Sequence, residues 1–212
     1  MDNTLPFSQA SENNKLAIHD VFSRHLTDRA SLLEIGGGTG QHAVYFAKQF
    51  PDLSWQSSDI PSSVATLNRR VGIAQLPNLP LAIPLDVNQA RWECEMCDGI
   101  FSANSLHIMS ADSVQNFFAG VGRKLQKGGL LLVYGPFKYD GAFTTESNAR
   151  FDQWLKNRDY LSGVRDFEWI NQLAESQGLR LLEDNSMPAN NQLLVWAYNL
   201  EAGTGSRDNL IP

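Results

Sequence analysis

The residues Glu34-Ile35-Gly36-Gly37-Gly38-Thr39-Gly40 are the part of this sequence best equipped for chemistry. Glycines at alternate positions let a chain turn sharply and let a ligand approach the backbone without meeting a Cβ atom. An apolar run precedes them and a helical pattern follows, so the loop offers unpaired N–H groups and the positive end of a helix dipole. A dinucleotide fingerprint would read G-x-G-x-x-G. Counted from Gly36 as the first position, the sixth is Gln41, and counted from Gly38 it is Ala43, so that pattern fails. What stands here is E-x-G-x-G-x-G. A carboxylate at Glu34 suits a ligand that carries an ammonium group and would repel a pyrophosphate.

Three more polar groups end short runs that are candidate strands: Asp59 after Trp55-Gln56-Ser57-Ser58, Asp86 after Pro84-Leu85, and Asn104 after Phe101-Ser102-Ala103. If those runs are strands of an open α/β sheet, all of these groups lie at carboxyl ends, where ligands collect. The E-x-G-x-G-x-G spacing is similar to the first motif of class I methyltransferases, which use S-adenosylmethionine (SAM). That resemblance implies a loop of Glu34, Gly36, Gly38 and Gly40 around the amino-acid part of SAM. Asp59 would accept both ribose hydroxyls, Asp86 would accept from the adenine amino group, and the Val87 N–H would meet a ring nitrogen. Asn104 completes the set. His42 opens the following helix, and either touches the SAM carboxylate or only caps the helix.

A closer resemblance covers about residues 7–198. Ser11-Glu12-Asn13-Asn14-Lys15, Gly38-Thr39-Gly40-Gln41-His42-Ala43, Leu85-Asp86-Val87 with Trp92, and Tyr134-Gly135-Pro136-Phe137 are similar to the DUF938 family, called methyltransferase-like 26 in animals. Ser147-Asn148-Ala149-Arg150-Phe151-Asp152, Gly163-Val164-Arg165-Asp166 and Met187-Pro188-Ala189-Asn190-Asn191 are more specific, because ordinary methyltransferases lack them. The family often has Ala-Ser-Gly where Gly36-Gly37-Gly38 stands here. The resemblance implies a SAM-type fold and names no substrate.

Methyl transfer is an in-line displacement in which positioning can supply much of the catalysis. A hydroxyl or acidic acceptor would gain from a general base. His107, after the fourth strand, is the candidate base. Tyr134 and Tyr139 are candidates to orient an acceptor or to face the sulfonium, since aromatic faces favour cations. Lys15 either meets a carboxylate or is an exposed helix charge. The expected catalytic pair is His107 and Tyr139. The product would be S-adenosylhomocysteine (SAH).

These groups need a frame. Helical spacing marks 14–26, 41–50, 62–71, 111–125 and 166–177, and apolar runs mark strands at 53–58, 81–87, 97–106, 179–183 and 192–199. The continuous run Gly128-Gly129-Leu130-Leu131-Leu132-Val133-Tyr134-Gly135 reads as a strand covered on both faces. Alternating strands and helices predict an α/β, Rossmann-like class I methyltransferase fold with a mainly parallel seven-stranded sheet and helices on both faces. The final antiparallel hairpin is implied by the resemblance. Residues 1–200 read as one domain, 136–165 as an irregular substrate-covering insertion, and 201–212 as a mobile tail. Within the cover, Arg150, Arg158 and Arg165 sit among Asp140, Asp152, Asp159 and Asp166, a balanced set suited to internal ion pairs or to gripping a substrate carboxylate.

The 212 residues carry a net charge of −6 without a cluster of Lys and Arg, which argues against a nucleic-acid partner. No apolar run approaches a membrane span, and the first residues lack a basic-then-apolar pattern, so a cytoplasmic location is expected. Cys94 and Cys97 form a lone C-x-x-C with no second pair to complete a zinc site, and read as two buried thiols. The expected function is therefore a SAM-dependent methyltransferase acting on a small molecule. A SAM- or SAH-binding protein without catalysis is the alternative, and the glycine spacing disfavours a nicotinamide oxidoreductase.

Overall fold

The computed structural model describes residues 5–198. The expected tail at 201–212, and the last residue of the strand expected at 192–199, lie outside the described residues. The chain opens with α1 (Gln9–His25), which begins five residues before the expected start. Ser8 supplies the reason: its hydroxyl accepts the Ser11 N–H at 3.2 Å and caps the helix. There follow β1 (Ser31–Ile35), α2 (Gln41–Gln49), β2 (Ser54–Asp59), α3 (Val64–Ala74), β3 (Ile83–Pro84), β4 (Cys97–Ala103), α4 (Ala111–Lys124) and β5 (Leu125–Gly135). The insertion holds β6 (Phe137–Tyr139), β7 (Ala142–Phe143), α5 (Glu146–Arg158) and β8 (Arg165–Asp166). Then come α6 (Phe167–Ser176), β9 (Leu179–Met187), a short 3-10 turn at Pro188–Asn190, and β10 (Asn191–Tyr198).

Seven strands form one sheet in the order β3-β2-β1-β4-β5-β10-β9. The first five are mutually parallel, and β10 runs antiparallel to both β5 and β9. The chain order reverses between β1 and β4, so a crevice opens there at the carboxyl ends of the parallel strands. This is the Rossmann-like methyltransferase fold expected from the alternating pattern.

Residues of one strand alternate between two cores. Leu130, Leu132 and Tyr134 pack with α1, α2 and α3, whereas Leu131 and Val133 pack with α4 and α6. Both faces of β5 are therefore covered, which is why its sequence is apolar without interruption. An aromatic cluster of Phe22, Phe46, Trp55 and Phe101 fills the first core, with Phe46 stacked on Trp55 at 5.5 Å. In the second, Trp92 lies so close to α4 that a Cβ at Gly120 would fall 1.9 Å from its ring.

Two expectations need correction. The third strand is two residues long, because the Ala82 N–H is taken by Asn68 Oδ1 at 2.6 Å and Pro84 has no N–H to give. The insertion is not irregular: it carries a 13-residue helix, α5, capped by Thr145, and a small three-stranded sheet in the order β7-β6-β8. Asp140 and Gly141, both at positive φ, make its tight hairpin turn. No helix among the described residues is long and apolar enough to cross a membrane. Cys94 and Cys97 are both free; only Cys97 is fully buried, and Cys94 is half-buried.

Candidate functional site

A cleft of about 230 Å³ opens at the carboxyl edge of the sheet. One side comes from Gly36 in the glycine loop and from Asp59 and Ile60 at the end of β2. Leu85 to Asn88, after β3, make the floor. The opposite wall is the loop between β4 and α4, represented by Ser105, Ile108 and Met109, with Ser113 on α4 itself.

The loop is held to β2: the amides of Gly36 and Gly37 both donate to the Ser58 carbonyl, at 3.0 and 2.9 Å. Gly36, Gly38 and Gly40 adopt positive φ of 78°, 56° and 76°, which explains the alternate glycines. A Cβ at Gly36 would meet Ser105 Oγ at 2.5 Å, so the two walls touch there, while one at Gly38 would enter open space. Asp59 is oriented from both sides: Gly38 N–H donates to Oδ2 at 2.7 Å and Ile60 N–H to Oδ1 at 2.8 Å. Asp86 Oδ1 accepts the Asn88 N–H at 2.9 Å and fixes the turn that brings Val87 to the floor.

The structure thus brings Gly36, Asp59, Asp86 and Val87 to one cleft. Asn104 stands beside it, at φ 56°, with its amide on the Tyr134 carbonyl at 2.8 Å. The remaining expectations are redirected by burial. Glu34 is 2% exposed and faces the α1–α3 side of β1, not the cleft. Its Oε2 accepts both Trp55 Nε1–H at 3.1 Å and the Ser57 hydroxyl. Burial raises this carboxyl above the ordinary 4.5 against those two hydrogen bonds. His42 is also buried; its Nε2 pairs with Asn14 Oδ1 at 2.7 Å, which ties α2 to α1. Desolvation holds His42 down at about 4, the Ser11 backbone opposing and the Lys15 charge adding, so the ring is neutral. Lys15 is paired with Glu12 and lies over the Tyr45 ring.

Neither catalytic candidate is free. The Tyr139 hydroxyl donates to Asp184 Oδ2 at 2.7 Å, and its ring stacks on Phe167. Burial and that carboxylate raise the phenol far above 10, which fits it for a structural role. His107 is 6% exposed, edge-on to Phe151 at 5.2 Å, and desolvation with the nearby Arg165 holds it at about 4. An imidazole so depressed is a weak base at neutral pH.

Sequence reasoning missed the apolar walls Ile60, Ile108 and Met109. Ile60 and Ile108 are about half exposed, at 48% and 56%, and the only local signal is a bulky apolar residue in a loop directly after a strand end.

The family model described as "Protein of unknown function (DUF938)" matches residues 5–198. The chain belongs to the DUF938 family. Among solved structures it is similar to an O-methyltransferase family protein from Burkholderia thailandensis (TM-score 0.77, 18% identity, 88% of this chain and 57% of that one). It is also similar to the SAM-dependent methyltransferase SibL in its apo form (TM-score 0.73, 17% identity, 90% and 56%). PigF, solved with SAH, is a third (TM-score 0.71, 15% identity, 83% and 53%). The chain spans little more than half the length of these proteins, and at such identities the likeness establishes the fold.

Proposed function

We propose that the cleft binds SAM and that this DUF938 protein transfers its methyl group to a small molecule. The observation that carries the reading is Asp59. Its carboxylate is pre-oriented by the Gly38 and Ile60 amides at the mouth of a cleft with apolar walls. A carboxylate held in this way suits a ribose diol, since both oxygens can accept a hydroxyl without reorganising. Ile60, Ile108 and Met109 suit the faces of a flat adenine, and Asp86 with the Val87 backbone suits its polar edge. Gly38, open to solvent, lets the amino-acid end approach the loop. Glu34 acts from behind, by fixing β1 to β2 through Trp55 and Ser57.

SAM supplies an electrophilic methyl group on a sulfonium. The chain supplies position: the loop, Asp59 and the far wall fix the donor, and the insertion, whose Phe151 packs edge-on against His107, shields the reacting end from water. With His107 held neutral and weakly basic, the favoured acceptor loses its proton easily or arrives already deprotonated. Relatives named for O-methyl transfer and for bound SAH support this direction.

The Asp184 bond on Tyr139 and the weak basicity of the buried His107 favour the second reading, a SAM- or SAH-binding protein without turnover. Calorimetric titration of SAM and SAH into the wild type and Asp59→Ala tests the cofactor. The expected result is binding that weakens at least about tenfold in the variant, the loss of a charged hydrogen-bond partner being worth about 1.5–3 kcal/mol. No heat from either ligand with folded protein would refute it. Transfer of a labelled methyl group to any metabolite in a screen would then exclude the binding-only reading.

A further inference from the structure

The motif Gly163-Val164-Arg165-Asp166 has no place in the cofactor cleft, yet its contacts converge on the cleft's far wall. In the loop after β4, four successive backbone carbonyls are taken by the segment that follows α5. Arg165 Nε donates to Leu106 O at 3.3 Å, Gly163 N–H to His107 O at 2.9 Å, and Ser162 Oγ to Ile108 O at 3.2 Å. Arg165 Nη2 donates to Met109 O. The same nitrogen reaches back to Leu161 O at 2.8 Å, so one guanidinium joins both segments. A planar fork of five donors can do this; a single ammonium cannot span the same set. Ile108 and Met109 are the residues whose side chains wall the cleft.

The clasp is itself anchored to the cover. Asp152 on α5 accepts the Val164 N–H at 2.8 Å and pairs with Lys156 at 2.7 Å. Glycine suits position 163, since a Cβ there would lie 3.0 Å from Asp152 Oδ1, closer than ordinary contact. At its other end α5 is tied to the β9–β10 turn: Asn148 Nδ2 donates to Asn190 O at 2.9 Å and Asn190 Nδ2 to Ser147 Oγ at 3.1 Å. The three most family-specific motifs therefore meet around α5.

We propose that Arg165 is a positioning residue for the cofactor: acting through the backbone of residues 106–109, it sets the wall formed by Ile108 and Met109 and couples the cover to cofactor binding. The proposal rests on the SAM reading above. By linkage, an acceptor that orders the cover tightens the cofactor by the same factor.

The test is calorimetric titration with SAH, well below the unfolding temperature, on wild type, Arg165→Ala, Arg165→Lys, Ser162→Ala and the control Trp154→Ala. Trp154 is half exposed on α5, where its ring meets Phe151 and Arg158. Affinity is expected to fall about tenfold in Arg165→Ala and two- to threefold in Ser162→Ala, with Arg165→Lys between wild type and the alanine variant and Trp154→Ala unchanged, as for hydrogen bonds expressed only in part. Hydrogen exchange separates positioning from general weakening. The Ile108 and Met109 amides, both bonded to Ser105 O, should exchange faster in Arg165→Ala while β4 amides keep their wild-type rates. A folded Arg165→Ala that binds SAH within twofold of wild type overturns the clasp alone. If Arg165→Ala does not fold, unchanged SAH affinity in both Ser162→Ala and Arg165→Lys overturns it equally. Wild type that binds neither SAM nor SAH overturns the cofactor reading instead.

Discussion

Gly36→Ala probes the contact between the two walls of the cleft. Gly36 sits at φ +78°, where an alanine costs about 1–2 kcal/mol. Its added Cβ would also lie 2.5 Å from Ser105 Oγ, well inside ordinary contact, and 3.5 Å from Ser105 Cβ, which is tolerable. Forcing that oxygen aside adds an overpacking cost of about 1–3 kcal/mol. The single variant should therefore lose about 2–5 kcal/mol. Ser105→Ala alone forfeits the Oγ bond to Ala103 O at 3.2 Å, worth about 1 kcal/mol. In the double variant the offending oxygen is absent, so only the backbone strain and the lost hydrogen bond remain, about 2–3 kcal/mol. Urea denaturation of the four proteins gives the coupling directly. The double variant should be more stable than the sum of the single losses by about 1–3 kcal/mol. Losses that add to within about 0.5 kcal/mol would show that the walls do not meet at Gly36 and Ser105, and the account of the cleft would fail.

Gly120→Ala should be the most disruptive glycine change, at least about 3 kcal/mol, because its Cβ would overlap the buried Trp92 ring; a melting temperature within a few degrees of wild type would contradict the packing. His42 and His107, depressed to about 4 from 6.5, should show unmoved imidazole NMR signals at pH 6. Because the unfolded chain binds protons first, each histidine withdraws stability as pH falls from 6.5 towards 4, by up to about 1.4 kcal/mol per pH unit in urea melts. Glu34 acts with the opposite sign. Its raised folded value leaves stability intact below 4.5 and removes it as pH rises above 4.5 towards the folded value, so Glu34→Gln should gain on wild type as pH rises above 4.5, and parallel curves would refute the assignment. Cys97, pushed up to about 12 by burial, should resist a thiol reagent at pH 8 until the protein unfolds, whereas rapid labelling of the folded protein would disprove that burial.

The glycine loop and the acidic strand ends that line the cleft were legible because their signals are local. A glycine triplet at alternate positions encodes a strand-turn-helix with positive φ, and Asp59 and Asp86 close short segments bounded by turn residues. Patterns of this kind need a window of a few residues and no knowledge of the rest of the chain. The continuous run through Leu130 to Val133 likewise implied a strand with helices on both faces.

Tertiary structure decided where each side chain pays out its polarity. Glu34 lies one residue from the loop, but strand alternation turns it towards Trp55 and Ser57 on the neighbouring strand, 21 and 23 positions away. Tyr139 is claimed by Asp184, 45 positions on, and Arg165 by carbonyls more than 50 positions back. No local pattern records such pairings, because they follow from strand order and from which core a helix covers. The sequence by itself determined the fold class, the glycine loop and the acidic strand ends. Only packing over the whole chain decided that Ile108 and Met109 wall the cleft, that His107 is buried and weakly basic, and that the segment after α5 is fastened to that wall.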